Sequence, residues 1–108
     1  MGRIVIACYR PLPGKQARLR ALTKTHVQRL RDIGLATARP GIAMEASNGD
    51  VIEVFEWVSE EAIAAAHEHP EVLAMWAEYE QCCTYIPFPD VPGADTLFPG
   101  HTPLPTIG

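Results

Sequence analysis

One histidine stands where a base would be useful. His26 lies in the stretch from Lys15 to Ile33, where Leu19, Leu22, Leu30 and Ile33 recur with it at steps of three and four. That spacing draws a single narrow stripe along a helix, so the stripe's central residue faces the interior. A neutral imidazole held there can take a proton from a phenolic substrate. The same place also suits a histidine that does no chemistry, bonded to a carboxylate or backbone carbonyl and fixing how the helix packs. His67, one turn after Ile63, is expected to face the same space.

Four aromatic residues, Trp57, Trp76, Tyr79 and Tyr85, are available to line a cavity for a small hydrophobic or aromatic ligand. Packing in the core or across a dimer is the commoner explanation for such residues. The pair His67-x-His69 invites a metal reading, with Glu71, Cys82 and Cys83 as further ligands. Residues two apart on a helix point to different faces, so no metal site is expected. Glu53 and Glu56 fall on opposite faces of one strand. One of them is expected to be enclosed at a dimer interface beside Arg3, Arg10 or Arg39, in a structural role. No glycine-rich phosphate loop, nucleophile elbow, zinc-finger spacing or Ser/His/Asp arrangement appears, and no cofactor is expected.

The elements that must position these residues can be read in order. Residues 3–9 are apolar and β-branched, as in a strand covered on both faces. Pro11 and Pro13-Gly14 break the strand, the helix of the stripe follows, and Gly34 stops it. A weaker strand over 36–46, interrupted by Pro40-Gly41, leads to a tight hairpin turn at Asn48-Gly49. Val51 to Trp57 is the third strand. Ser59 caps a helix running to about His69, and Pro70 opens a further helical stretch with Val72, Trp76, Tyr79 and Cys83 on one stripe. Thr84 to Ile86 forms a short fourth strand. Residues 87–108 hold six of the ten prolines together with Phe88, Leu97, Phe98, Leu104 and Ile107. Linkers rarely carry that much apolar surface, so this segment is expected to be an arm docking on the domain or on a partner subunit.

The order βαββαβ over residues 1–86 implies an α+β, ferredoxin-like plan, a four-stranded antiparallel sheet with two helical segments on one face. The other face is then bare, yet its strands are too apolar to leave wet. Two copies placing sheet on sheet remove the difficulty, so a homodimer is expected. All nine Lys and Arg lie at or before Arg39, and twelve of the thirteen acids follow it. The basic residues ring their helix without forming one face, and no aromatics interleave with them. Pairing with the acidic second half is expected, and not nucleic acid. No apolar run reaches the roughly 18 residues of a membrane span. The N-terminal run is too short for a signal core and carries no cleavage site. Three cysteines, two of them adjacent (Cys82 and Cys83, with Cys8), do not make a disulfide framework. A cytoplasmic protein is expected.

The stretch from Val54 through Trp57-Val58-Ser59-Glu60-Glu61-Ala62 and His67-Glu68-His69-Pro70-Glu71-Val72 to Trp76 and Cys82 resembles a known family. So do the opening Tyr9-Arg10-Pro11-Leu12-Pro13-Gly14-Lys15, the central helix histidine and Gly34-Leu35. They are similar to the antibiotic-biosynthesis-monooxygenase (ABM) branch of the dimeric α+β barrel superfamily, over roughly residues 3–86. The resemblance implies a homodimer with a pocket between helices and sheet. It also implies a cofactor-independent monooxygenase-type oxidoreductase acting on a small aromatic or polyketide-like substrate. His26 would be the base, with His67, Trp76, Tyr79, Trp57 and Tyr85 around the substrate. A non-catalytic dimeric binding or accessory protein, or an isomerase or lyase of the same superfamily, fits the same pocket. Haem-degrading relatives use a Trp, a His and an Asn. The matching places here hold Ala66 or His67, Trp76-Ala77 and no Asn, so haem is not expected.

Overall fold

β1 (Arg3–Pro11) has the apolar residues on both faces that a central strand needs, and it is central. In the computed structural model, which describes residues 1–107, it pairs antiparallel with β3 (Val51–Trp57), from Arg3 opposite Trp57 to Tyr9 opposite Val51. On its other side lies β4 (Cys83–Ile86), with Tyr9 opposite Tyr85. β2 (Ile42–Glu45) pairs with the far side of β3. The expected strand over 36–46 is shortened because Pro40 lacks a donor and Gly41 weakens pairing. Only an isolated bridge between Ala36 and Trp57 remains upstream.

The sheet has five strands, not the four expected. The order is β4-β1-β3-β2-β5, and β5 (Thr102–Leu104) comes from the C-terminal arm. It adds to the free edge of β2, with Leu104 opposite Ala43 and Thr102 opposite Glu45. Pro103 is tolerated because an edge strand has one side without partners. An arm rich in proline hides such a strand from a sequence reading, since the pattern lacks alternation. A turn of 3-10 helix at Phe88–Asp90 precedes it, and the Ile107 amide donates to the Lys24 carbonyl at 2.9 Å.

Three helices cover one face of the sheet. α1 (Gln16–Asp32) ends as a Schellman motif. Gly34 takes φ +79° and donates to Arg31, and the Leu35 amide reaches the Leu30 carbonyl. α2 (Glu60–Ala66) is capped by Ser59, whose hydroxyl accepts from the Ala62 amide at 3.0 Å. α3 (Pro70–Glu80) begins at Pro70, with His69 Nδ1 accepting from the Glu71 amide. In the hairpin after β2 only Gly49 has a positive φ. Asn48 instead uses its side-chain oxygen to accept from the Asp50 amide, so the turn is longer than the two-residue form expected.

Two apolar clusters lie under the helices. One gathers Val27, Leu30, Phe55, Trp57, Val72 and Met75, and the other Tyr9, Leu19, Leu22, Val51, Tyr79 and Cys82. On the opposite face the arm covers one end of the sheet, where Val91, Phe88 and Ala94 pack on Cys8, Ile52 and Ala46. The rest of that face stays open, with Ile4, Ile6 and Ile42 each more than half exposed. The charge asymmetry resolves into pairs between elements: Arg18 and Arg29 with Glu78, Arg20 with Glu45, and Arg3 with Glu60. Among the described residues no helix is long and apolar enough to cross a membrane.

Candidate functional site

The alternation of β3 turns Val51, Glu53, Phe55 and Trp57 toward the helices, and Ile52, Val54 and Glu56 away from them. Glu53 is thereby carried into the core, where it is 1% exposed. Its neighbours across the sheet are Ala7 on β1 and Ala43 on β2, both too small to fill the space above it. α1 fills that space with His26, 4% exposed. His26 Nδ1 lies 2.8 Å from Glu53 Oε1, and the Tyr9 hydroxyl donates to the same oxygen at 2.8 Å. An ionised carboxylate only accepts. With Glu53 ionised, Nδ1–H is the donor, and the neutral imidazole then has its lone pair on Nε2.

Nε2 is buried without a hydrogen-bond partner, as are Glu53 Oε2 and the Tyr79 hydroxyl. Buried polar atoms are almost always satisfied, so an unpartnered nitrogen on a cavity-lining residue is a candidate ligand contact. The imidazole is set between the two apolar clusters, edge-on to Phe55 (centroids 5.6 Å) and to Tyr79 (5.1 Å). Its direction is therefore fixed by packing as well as by Glu53.

His26 forms part of the wall of a cavity of about 300 Å³, together with Val5, Ala7, Tyr9, Phe55, Trp57, Trp76, Tyr85 and Glu80. Tyr85 and Glu80 are exposed and mark its mouth, while Tyr9, His26, Phe55 and Trp57 are buried and form its inner end. Burial, then the Glu53 charge, pushes the Tyr9 phenol well up from its ordinary value. Tyr85 is pushed up to about 12, chiefly by burial and then by Cys83 and Glu80. Both phenols therefore stay protonated around neutrality and act as donors.

Of the residues singled out in the sequence, His26, Trp57, Trp76 and Tyr85 come together around this cavity. Tyr79 stands behind it, 1% exposed, its ring 4.8 Å from Tyr9 and 5.1 Å from His26. His67 does not line it. As the C-terminal cap of α2 it turns back on its own helix, Nδ1 2.8 Å from the Ile63 carbonyl, with its ring edge against Trp76. One of Glu53 and Glu56 was expected to be enclosed beside an arginine; Glu53 is the buried one, and it meets a histidine and a tyrosine on the helix side. The carboxylate that takes an arginine is Glu56. It accepts from Thr37 at 2.9 Å and Arg39 at 3.1 Å, which hold it below the usual carboxylate range. The signal for Glu53 was its parity with Phe55 and Trp57. Two large aromatics on one strand face identify that face as the buried one.

Among the described residues no three His, Cys, Asp or Glu side chains gather to hold a metal ion. The three cysteines are free and buried.

No protein-family model matches the chain, and no curated protein matches it. Among solved structures it is similar to Rv0793 from Mycobacterium tuberculosis, with a TM-score of 0.61 and 20% identity, covering 81% of this chain and 94% of that one. A likeness at that identity shows a shared α+β fold and nothing of activity.

Proposed function

We propose that the chain is a cofactor-independent monooxygenase-type enzyme of the ABM kind, acting on a small aromatic hydroxy compound in the cavity under α1 and α3. The observation that carries this reading is the buried Tyr9–Glu53–His26 chain, which leaves Nε2 unpartnered on a histidine that lines an aromatic cavity. Nε2 removes the acidic proton of the substrate, and Glu53 stabilises the imidazolium that results. The carbanion passes an electron to dioxygen, and the two radicals join through a new carbon–oxygen bond. The peroxide anion so formed takes the proton back from the His26 imidazolium, and the hydroperoxide then loses its terminal OH together with the remaining hydrogen on that carbon as water, leaving a carbonyl. One dioxygen is consumed per substrate, one oxygen atom entering the product and the other leaving as water. The cavity stands at the small end of ligand pockets, which span roughly 300–1,000 Å³, and this favours compact aromatic substrates. Oxygen uptake with an anthrone- or quinol-type substrate tests the reading. Uptake is expected to be lost in His26→Ala with folding intact.

A non-catalytic binding protein is the second reading. It is favoured by a lining in which Glu80 and the base itself are the only residues with ionisable groups besides two phenols, with no cation to hold a developing oxyanion. Binding without turnover would establish it.

The strand order β4-β1-β3-β2 supports a ferredoxin-like plan extended by β5, and we assign the open face to a homodimer of the dimeric α+β barrel type. Ile6, Val54 and Ile42 form a continuous row across three strands there, with Ile4 beside it. Three free buried thiols suit a reducing compartment such as the cytoplasm.

A further inference from the structure

The cavity described above has an uneven charge. Five of its nine wall residues are aromatic: Tyr9, Phe55, Trp57, Trp76 and Tyr85. No lysine or arginine is among them. The α1 arginines nearest in sequence to His26 on either side are spoken for elsewhere, Arg20 by Glu45 and Arg29 by Glu78. Glu78 is also held by Arg18. Glu80, two residues further along α3, has no ion-pair or hydrogen-bond partner among the described residues and is exposed at the cavity mouth. At the inner end the Glu53 carboxylate receives two donors on one oxygen and none on the other. Aromatic faces attract cations through their quadrupoles, and a carboxylate at the rim adds to that attraction.

We propose that this cavity selects its ligand by charge, taking an aromatic body that carries a protonated amine and refusing the same body bearing a carboxylate, with Glu80 as the selector. The inference rests on the cavity being a ligand site, as the proposed function requires, but not on turnover. The hydroxyl of such a ligand would meet His26 Nε2 at the inner end, and its ammonium group would lie among Trp76, Tyr85 and Glu80 at the mouth.

Three probes with one skeleton test it: 2-naphthol, 6-(aminomethyl)-2-naphthol and 6-hydroxy-2-naphthoic acid, which are neutral, cationic and anionic at pH 7. Calorimetric titration of the full chain at about 50 mM salt should give the aminomethyl compound about fivefold tighter than naphthol. The naphthoate should bind at least fivefold more weakly than naphthol. In Glu80→Gln the ratio between cation and anion should shrink at least threefold, and in Glu80→Lys it should shrink further or invert. Glu80 is a surface residue, so both variants are expected to fold, which circular dichroism checks. Equal binding of all three probes, or a ratio unmoved in Glu80→Lys, overturns charge selection while leaving the cavity as a site. Failure of every probe to bind overturns the ligand site itself, and the inference with it.

Discussion

At the scale of single residues, what distinguishes this core is a carboxylate buried between two alanines and answered by an imidazole and a phenol. Removing one member of such a chain leaves the others unsatisfied, which costs about 1–3 kcal/mol. Its tyrosine also sets an alkaline limit. Tyr9 holds its proton to a higher pH in the folded chain than the ordinary tyrosine value near 10 permits, because burial and Glu53 oppose the phenolate. Its contribution to stability is thus complete below pH 10 and is lost as pH rises above it, since there the unfolded chain binds fewer protons. Tyr85, pushed up to about 12, acts in the same sense over pH 10–12. Urea midpoints measured from pH 9 to 11.5 should therefore fall. In Tyr9→Phe the slope should be shallower by about 1.4 kcal/mol per pH unit. His26 was legible from the stripe of α1 alone, because helical periodicity fixes which face a residue shares. Its partner was not, since a pairing between α1 and β3 depends on how the helix is set down on the sheet.

At the scale of elements, the strands and helices that show a clean period or cap were the readable ones. β1, β3, α1 and the Ser59 and Pro70 helix starts follow from alternation, the leucine stripe and capping chemistry. The arm was recognisable as a docking segment by its apolar content, but its strand was not, because Pro103 and Pro105 erase any pattern. Its energetic role is specific. Val91, 3% exposed, plugs the outer face over Cys8 and Ile52. The arm is further tied by Arg10, which grips Asp50 through two bonds and reaches the Asp90 carbonyl at 3.2 Å. Val91→Ala is expected to lower stability by about 1–2 kcal/mol in a urea titration, through lost burial and the small void left behind. An exposed change on the same arm, Asp95→Ala, should be neutral. A Val91→Ala midpoint equal to the parent would mean that the arm is not held in place in solution.

At the scale of the whole molecule, the sheet has helices on one side and half-exposed isoleucines on the other. The proposed homodimer covers that second side. Light scattering at micromolar concentration should give twice the chain mass, and Ile6→Asp should give one chain mass with unchanged helical circular dichroism. A monomeric parent would contradict the sheet-to-sheet assignment. The proposed chemistry is tested more directly by oxygen consumption. With an anthrone or a naphthohydroquinone, the parent should take up one dioxygen per substrate. His26→Ala should lose about 10²-fold or more of that rate, and Glu53→Gln at least tenfold, both with native-like spectra. Uptake unchanged in His26→Ala, or a ligand bound by the parent with no oxygen consumed, would contradict the account.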